Sequence, residues 1–215
     1  MHLLALSRSA GRLVRATDGT EDRRVSDSPD WRSRRSAATR QRIHDTALRL
    51  FQEHGFEAVT VGQIAAGAGV SVPTFYAHFP SKEHVVMQLP TSDQIAQIIA
   101  GQPDDLPVGE RIRRAVPEWL AQWTPEDLEA HLARWRVIAT TPPLRTRAAE
   151  FERTTAGMVA DALPAEGTGL RPGDAIVVNA YLSAYTSAVL AWADGNGERK
   201  LEEHVEEAFD ALQRH

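Results

Sequence analysis

The chain has 215 residues, 42% of them hydrophobic, with no cysteine and a formal charge of −5. This length and composition allow one large or two small domains with a buried core, and the lack of cysteine excludes disulfides, thiolate metal sites and cysteine nucleophiles. The acidic total argues against nucleic acid until it is divided: residues 1–42 carry ten arginines against five acids, a local +5, which leaves −10 on the remainder. A basic end on an acidic body puts a DNA-facing charge at one pole.

Residues 1–38 are rich in Arg, Ser, Asp and Gly, lack a sustained period, and read as a basic, mostly disordered arm. Arg32, Arg34, Arg35 and Arg40 suit either a minor-groove arm or a solvated tail. The first helix is expected from Thr39, with Ile43, Ala47, Leu50 and Phe51 on one face. Thr60 and Gln63 form a T-x-x-Q capping box for a second helix. Gly69 supplies the positive φ of a sharp turn, and Ser71 caps a third helix with Pro73 in its first turn. Phe56, Val59, Ile64, Phe75 and Phe79 complete a small three-helix core. The next helix runs from Ser81 towards Ile99 and is expected to kink or split at Pro90. A loop covers Gly101–Pro107, and a helix from about Pro107 to Trp123 contains Pro117. Thr124-Pro125-Glu126-Asp127 starts another, which Pro142-Pro143 closes. Further helices are expected over Leu144–Leu163, from Pro172 to near Gly195, and over Glu198–Arg214, making about nine. No strand signal is present, so the fold is expected to be all-α.

Residues 60–82, TVGQIAAGAGVSVPTFYAHFPSK, have the form of a helix-turn-helix, whose second helix enters a DNA major groove. The whole of Thr39–Leu89 resembles the DNA-binding domain of TetR-family transcriptional regulators. TRQRIHDTALRLFQEHGF is similar to that family's first helix and its closing Gly-aromatic turn. The A-G-V-S…Y-x-H-F-x-S-K string is the most specific part. The resemblance implies a helix-turn-helix domain over 39–86 and a ligand-binding and dimerisation domain over 87–215. It implies DNA contacts from Arg40, Thr60, Ser71, Val72, Pro73, Thr74, Tyr76, His78 and Lys82. Val72 and Pro73 have only thymine methyls to touch, whereas Thr74 has the reach to bond a base or a phosphate. Tyr76 and His78 are similar to the family's phosphate-clamping pair, although both also suit a cover over the small core. Thr60 stands beside free helix N–H groups, a phosphate site. Where Val72 stands many family members carry Lys, so one charge contact is missing.

The C-terminal half concentrates aromatic residues: Trp119, Trp123, Trp135, Tyr181 and Tyr185, with Ile138, Phe151 and Met158 as partners. The resemblance implies that these line an effector pocket, although ordinary core packing also accounts for them. Arg134 and Arg136 suit either an anion anchor or a solvated face. Ala180, Ala184, Ala188 and Ala191 give the eighth expected helix a small face, which fits a four-helix bundle with a twin chain or packing within one chain. RWRVIATTPPLRTRAAEFERTTAGMVADALP is similar to a subgroup that includes the mycofactocin-system regulators, some of which sense acyl-CoA thioesters.

The expected function is therefore that of a homodimeric DNA-binding regulator, a repressor released from a palindromic operator by a small, mainly apolar effector. The alternative is a helical small-molecule-binding protein of the same fold that has lost sequence-specific DNA binding. Enzyme motifs are absent: GQIAAGAG follows a helix rather than a strand and lacks the Lys-Ser/Thr of a phosphate loop, and no H-E-x-x-H or G-x-S-x-G occurs. No cofactor or metal is expected. No apolar run is expected to approach the ~20 residues of a membrane helix. The start MHLLALSRSAGRLVRA lacks a secretory signal's long apolar segment, so a cytoplasmic location is expected.

Overall fold

Side-chain caps set several helix boundaries. Thr60 accepts from the Gln63 amide while Gln63 reaches back to the Thr60 N–H, and the pairs Thr91–Gln94 and Thr124–Asp127 repeat this reciprocal arrangement. Ser71 caps its helix by accepting from the Thr74 amide at 3.1 Å. The computed structural model describes residues 29–88, 90–163 and 171–214. Ten helices occupy most of them: α1 Pro29–His54, α2 Val61–Gly67, α3 Val72–His78, α4 Glu83–Val86, α5 Ser92–Ala100, α6 Val108–Leu120, α7 Pro125–Thr140, α8 Pro142–Ala162, α9 Pro172–Asp194 and α10 Leu201–Gln213. Among the described residues there is no strand.

One element departs from expectation, and one expected break is present. The first helix starts at Pro29 rather than Thr39, so residues 29–38 are not part of an arm. A helix nucleated by its buried half extends cheaply through Arg, Ser and Ala, and Pro at the first position loses no hydrogen bond. Residues 1–28 of the expected arm lie outside the described residues. The helix expected from Ser81 towards Ile99, with a kink or split at Pro90, is split there into α4 and α5, and the split raises the count from nine to ten. Pro90 has no N–H to give and disfavours helical geometry before it, and the Thr91 cap restarts the chain as α5. Other boundaries fall within a turn of those expected. The expected loop at Pro164–Arg171 lies, except for Arg171, outside the described residues.

Gly69 has φ +65° and turns the chain between α2 and α3, as its position suggests. Gly67 lets α2 approach α1, since a Cβ there would stand 2.8 Å from the Thr46 methyl.

Two apolar clusters form. The first joins Ile43, Phe51, Ile64, Phe75, Phe79 and Val86 to Val137, Ile138 and Leu144 of α7 and α8. The second gathers Ile95, Ile99, Leu120, Val178, Tyr181, Trp192 and Phe209. α9 packs against α6, α7, α8 and α10. It is long and apolar enough by composition to cross a membrane, with a mean hydropathy of 1.4 over eighteen residues, which overturns the expectation that no run has that length. Contact with four neighbouring helices accounts for its apolar character.

Candidate functional site

α3 presents Val72 and Tyr76 outward, at 41% and 53% exposure, while Phe75 beneath them is fully buried. The helical spacing thus divides α3 into a core face and a free face. Phe75 meets Tyr76 edge-on, with ring centroids 5.5 Å apart. Between the N-terminal half of α1 and α3 lies an open cleft of about 760 Å³. Arg32, Arg35 and Arg42 line it from α1, and Ser71, Thr74 and His78 from α3. Arg35 also stacks over Trp31, 5.2 Å from the ring centroid. Cations on one wall and hydroxyls and an imidazole on the other make a surface suited to a phosphate backbone. Arg42 was missed in the sequence. The signal was the spacing of Arg32, Arg35, Thr39 and Arg42, which places them on one helical face once α1 is known to start at Pro29.

Two expected DNA contacts already have partners within the chain. The Arg40 guanidinium donates to the His78 carbonyl at the end of α3 and lies 4.1 Å from the Phe79 ring centroid. Burial lowers its pKa from the usual value. The Lys82 ammonium donates to the Phe56 and Val59 carbonyls, at 2.9 and 3.2 Å, and sits over the Phe56 ring. Arg40 therefore fixes the end of the recognition helix, and Lys82 ties α4 to the turn before α2. Thr60, exposed at its helix start, and Pro73 remain at the surface of the helix-turn-helix.

A second feature lies deeper. A cavity of about 170 Å³ opens where the two apolar clusters meet. Val86, Met87 and Ala148 of the first cluster and Ile95, Ile99, Ile112 and Tyr181 of the second share its wall. Gln88 and Pro90, from the break between α4 and α5, also line it. Of the expected pocket residues, Trp119, Trp135, Phe151, Tyr181 and Tyr185 are in the wall. Trp123, Ile138 and Met158 are not. Trp123 instead meets Trp119 and His131 edge-on, with ring centroids 4.7 and 4.6 Å apart. Ile138 is buried in the first cluster, and Met158 packs against the second. Helical spacing identified the apolar faces but not which part of each face borders a void.

Sequence reasoning missed His131 and left Arg134 undecided. Both belong to the wall, one turn apart on α7. Arg136 does not, and donates instead to the Asn196 carbonyl at 3.0 Å. His131 is packed among Trp123, Trp135 and Trp192. Burial, with the Arg134 charge adding to it, holds its pKa well below the usual histidine range. Burial also lowers Arg134, to about 10, and raises the Tyr185 phenol. Arg134 thus remains charged at neutral pH and His131 remains neutral.

A pH dependence follows. The unfolded chain binds a proton at His131 near pH ~6.5, while the folded chain resists protonation there. The unfolded state then carries more protons below that pH, so stability falls as pH drops through it. Urea denaturation at about pH 5 and about pH 7.5 should give lower stability at the acid end, by at most ~1.4 kcal/mol per pH unit from this group. His131→Gln should reduce the difference. An equal pH response in the variant would assign the effect to other groups.

The stripe expected to carry small residues outward is displaced. Ala188 is only 4% exposed and belongs to the core, and Ala180 and Ala184 are partly buried. The outward face of α9 is Ile176, Asn179, Ser183, Ser187 and Ala191, spaced three and four apart. α9 is apolar on nearly every side, so its sequence alone did not reveal which side faces out.

Comparison with known proteins agrees with this architecture. A family model described as bacterial regulatory proteins, tetR family, matches residues 43–89, and another, the MftR C-terminal domain, matches residues 106–215, just over half of the chain. The chain belongs to the TetR family. As a TetR-family protein it is a DNA-binding transcriptional regulator with a helix-turn-helix. It is 31% identical to the HTH-type transcriptional regulator TcmR of Streptomyces glaucescens over 157 residues, 67% of this chain and 69% of that one. It is 32% identical over 115 residues to the putative mycofactocin biosynthesis transcriptional regulator MftR of Mycobacterium tuberculosis, covering 52% and 57% of the two chains. Among solved structures, NalD of Pseudomonas aeruginosa, the secondary repressor of the MexAB-OprM multidrug efflux pump, shares the fold, with a TM-score of 0.52 at 21% identity over 83% of this chain and 96% of that one. The residues matched by the tetR model, 43–89, contain the α2–α3 pair, whose free face carries Val72 and Tyr76.

Proposed function

We propose that this TetR-family chain is a cytoplasmic homodimeric repressor that leaves a palindromic operator when a small molecule enters the cavity. The carrying observation is the position of that cavity. Its wall includes Val86, Met87 and Gln88 at the end of the helix-turn-helix and Pro90 at the start of the body. A ligand there touches both halves at their junction, so it distinguishes two relative arrangements of them. In the repressing arrangement the two recognition helices lie about one helical turn apart, ~34–36 Å. The outward face of α9, with Ile176 at 70% exposure, is the surface we assign to the twin chain.

On the DNA side, Arg35 and Arg42 take over the backbone role that sequence gave to Lys82 and Arg40. The experiment is binding of the duplex upstream of the protein's own gene, over a series of salt concentrations. Arg35→Ala should lower the log–log salt slope by ~0.9 per protomer, the value for one phosphate-neutralising cation. Lys82→Ala should change that slope less and instead lower the melting temperature, because its ammonium holds the Phe56 and Val59 carbonyls. A full loss of slope in Lys82→Ala with none in Arg35→Ala would reverse these roles.

A further inference from the structure

The cavity wall is mainly apolar, but its polar atoms are unusual. Arg134 donates to the Gln88 carbonyl at 3.3 Å and lies 3.0 Å from Nδ1 of His131. A guanidinium has no acceptor, so His131 Nδ1 must accept and its Nε2 carries the proton. That Nε2, the Arg134 Nε, the Trp135 Nε1 and the Tyr185 hydroxyl are all buried and have no hydrogen-bond partner. Four donors with nothing to receive them therefore belong to residues that line the cavity. Nor does Arg134 form an ion pair among the described residues, although Glu152 also lines the cavity. Buried donors without acceptors are destabilising, and a partly buried cation without an anion adds to that cost. An evolved interior seldom keeps such a group unless something arrives to meet it.

Resting on the reading of this cavity as the effector site, we propose that the effector is a small organic carboxylate. Its apolar body lies against Ile95, Ile99, Trp119 and Tyr181, and its carboxylate is received by Arg134 with the neighbouring donors. A carboxylate fits where a neutral ligand does not. It supplies the missing countercharge, and its two oxygens offer acceptors to several of the four donors after small side-chain shifts. The volume of about 170 Å³ is close to that of cavities that hold a benzene, ~150 Å³. One ring or a short alkyl chain therefore matches the space. The same guanidinium holds the Gln88 carbonyl in the segment between α4 and α5. A carboxylate that competes for it loosens this tie at the point where the helix-turn-helix joins the body, which gives ligand binding a route to the DNA-facing helices.

The test uses the full-length dimer, with tryptophan fluorescence and calorimetry as readouts. The probes are aryl carboxylates from benzoate to naphthoate, straight-chain acids from butyrate to decanoate, and the uncharged amide of each. At least one acid should bind, and at least ~10-fold more tightly than its amide, a difference worth ~1.4 kcal/mol. Arg134→Gln should bring that ratio close to one, and Arg134→Lys should keep part of it. Failure of every acid to bind, or an amide that binds as well as its acid, overturns the proposal using wild-type protein alone. An acid-to-amide ratio unchanged in folded Arg134→Gln also overturns it. Operator binding is measured separately. A carboxylate that binds through Arg134 without affecting operator affinity supports the carboxylate site and overturns its reading as the effector site.

Discussion

Phe75→Ala should abolish operator binding while leaving the C-terminal body folded. Phe75 is fully buried in the cluster that also holds Ile43 and Phe51 of α1 and Ile64 of α2, so its side chain helps seat α3 on the rest of the head. Truncating a buried phenylalanine costs ~3–5 kcal/mol. A head this small buries a modest fraction of its surface and holds little stability in reserve. The second cluster contains none of these residues and should persist. Four of the five tryptophans lie beyond residue 118. Their fluorescence should therefore melt near the wild-type temperature, while circular dichroism shows an earlier loss of helix. A single transition at the wild-type temperature, with operator binding retained, would show that α3 is held by contacts other than this core.

Ser187→Arg should produce a monomer and lower operator affinity at least ~100-fold, because one recognition helix then binds without the effective concentration supplied by its twin. Ser187 is exposed in the middle of the outward face of α9, between Ser183 and Ala191. In a two-fold interface each residue near the axis meets its own copy, so the added arginine brings two like charges into a desolvated contact. Ala188→Arg would be uninformative, since Ala188 is buried within its own chain and the charge would disrupt folding. Light scattering gives the mass directly. A soluble dimer of Ser187→Arg would place the interface on another face.

Local chemistry was the part of this protein most legible in its sequence. The caps at Thr60, Ser71 and Thr124, the glycine turn at Gly69 and the break at Pro90 each depend on residues a few positions apart. What was not legible depends on distant partners. Lys82 reaches carbonyls 26 and 23 positions away, and Arg40 one 38 positions away, so two side chains that look like free cations in sequence are tied into the head. The basic segment before Thr39 has the composition of a disordered arm, yet α1 propagates through it to Pro29. Arg134 reads equally as an anion anchor or a solvated residue because it lies in a charged helix, and only its place in the cavity wall shows a partly buried cation whose Nε is out of solvent. In α9, small and apolar residues occur on every side, so the step from Ala188 to Ser187 separates core from surface with no local signal.

One molecule in the cavity is expected to change the grip of two recognition helices on DNA. The most direct measurement follows tryptophan fluorescence and the anisotropy of a labelled operator duplex in the same solution, as a cavity ligand is added to the complex. Operator affinity should fall as the tryptophan signal saturates, with two protomers on each duplex beforehand, by the ~5–150-fold that a coupling of ~1–3 kcal/mol produces. A saturated tryptophan signal with unchanged anisotropy would contradict it.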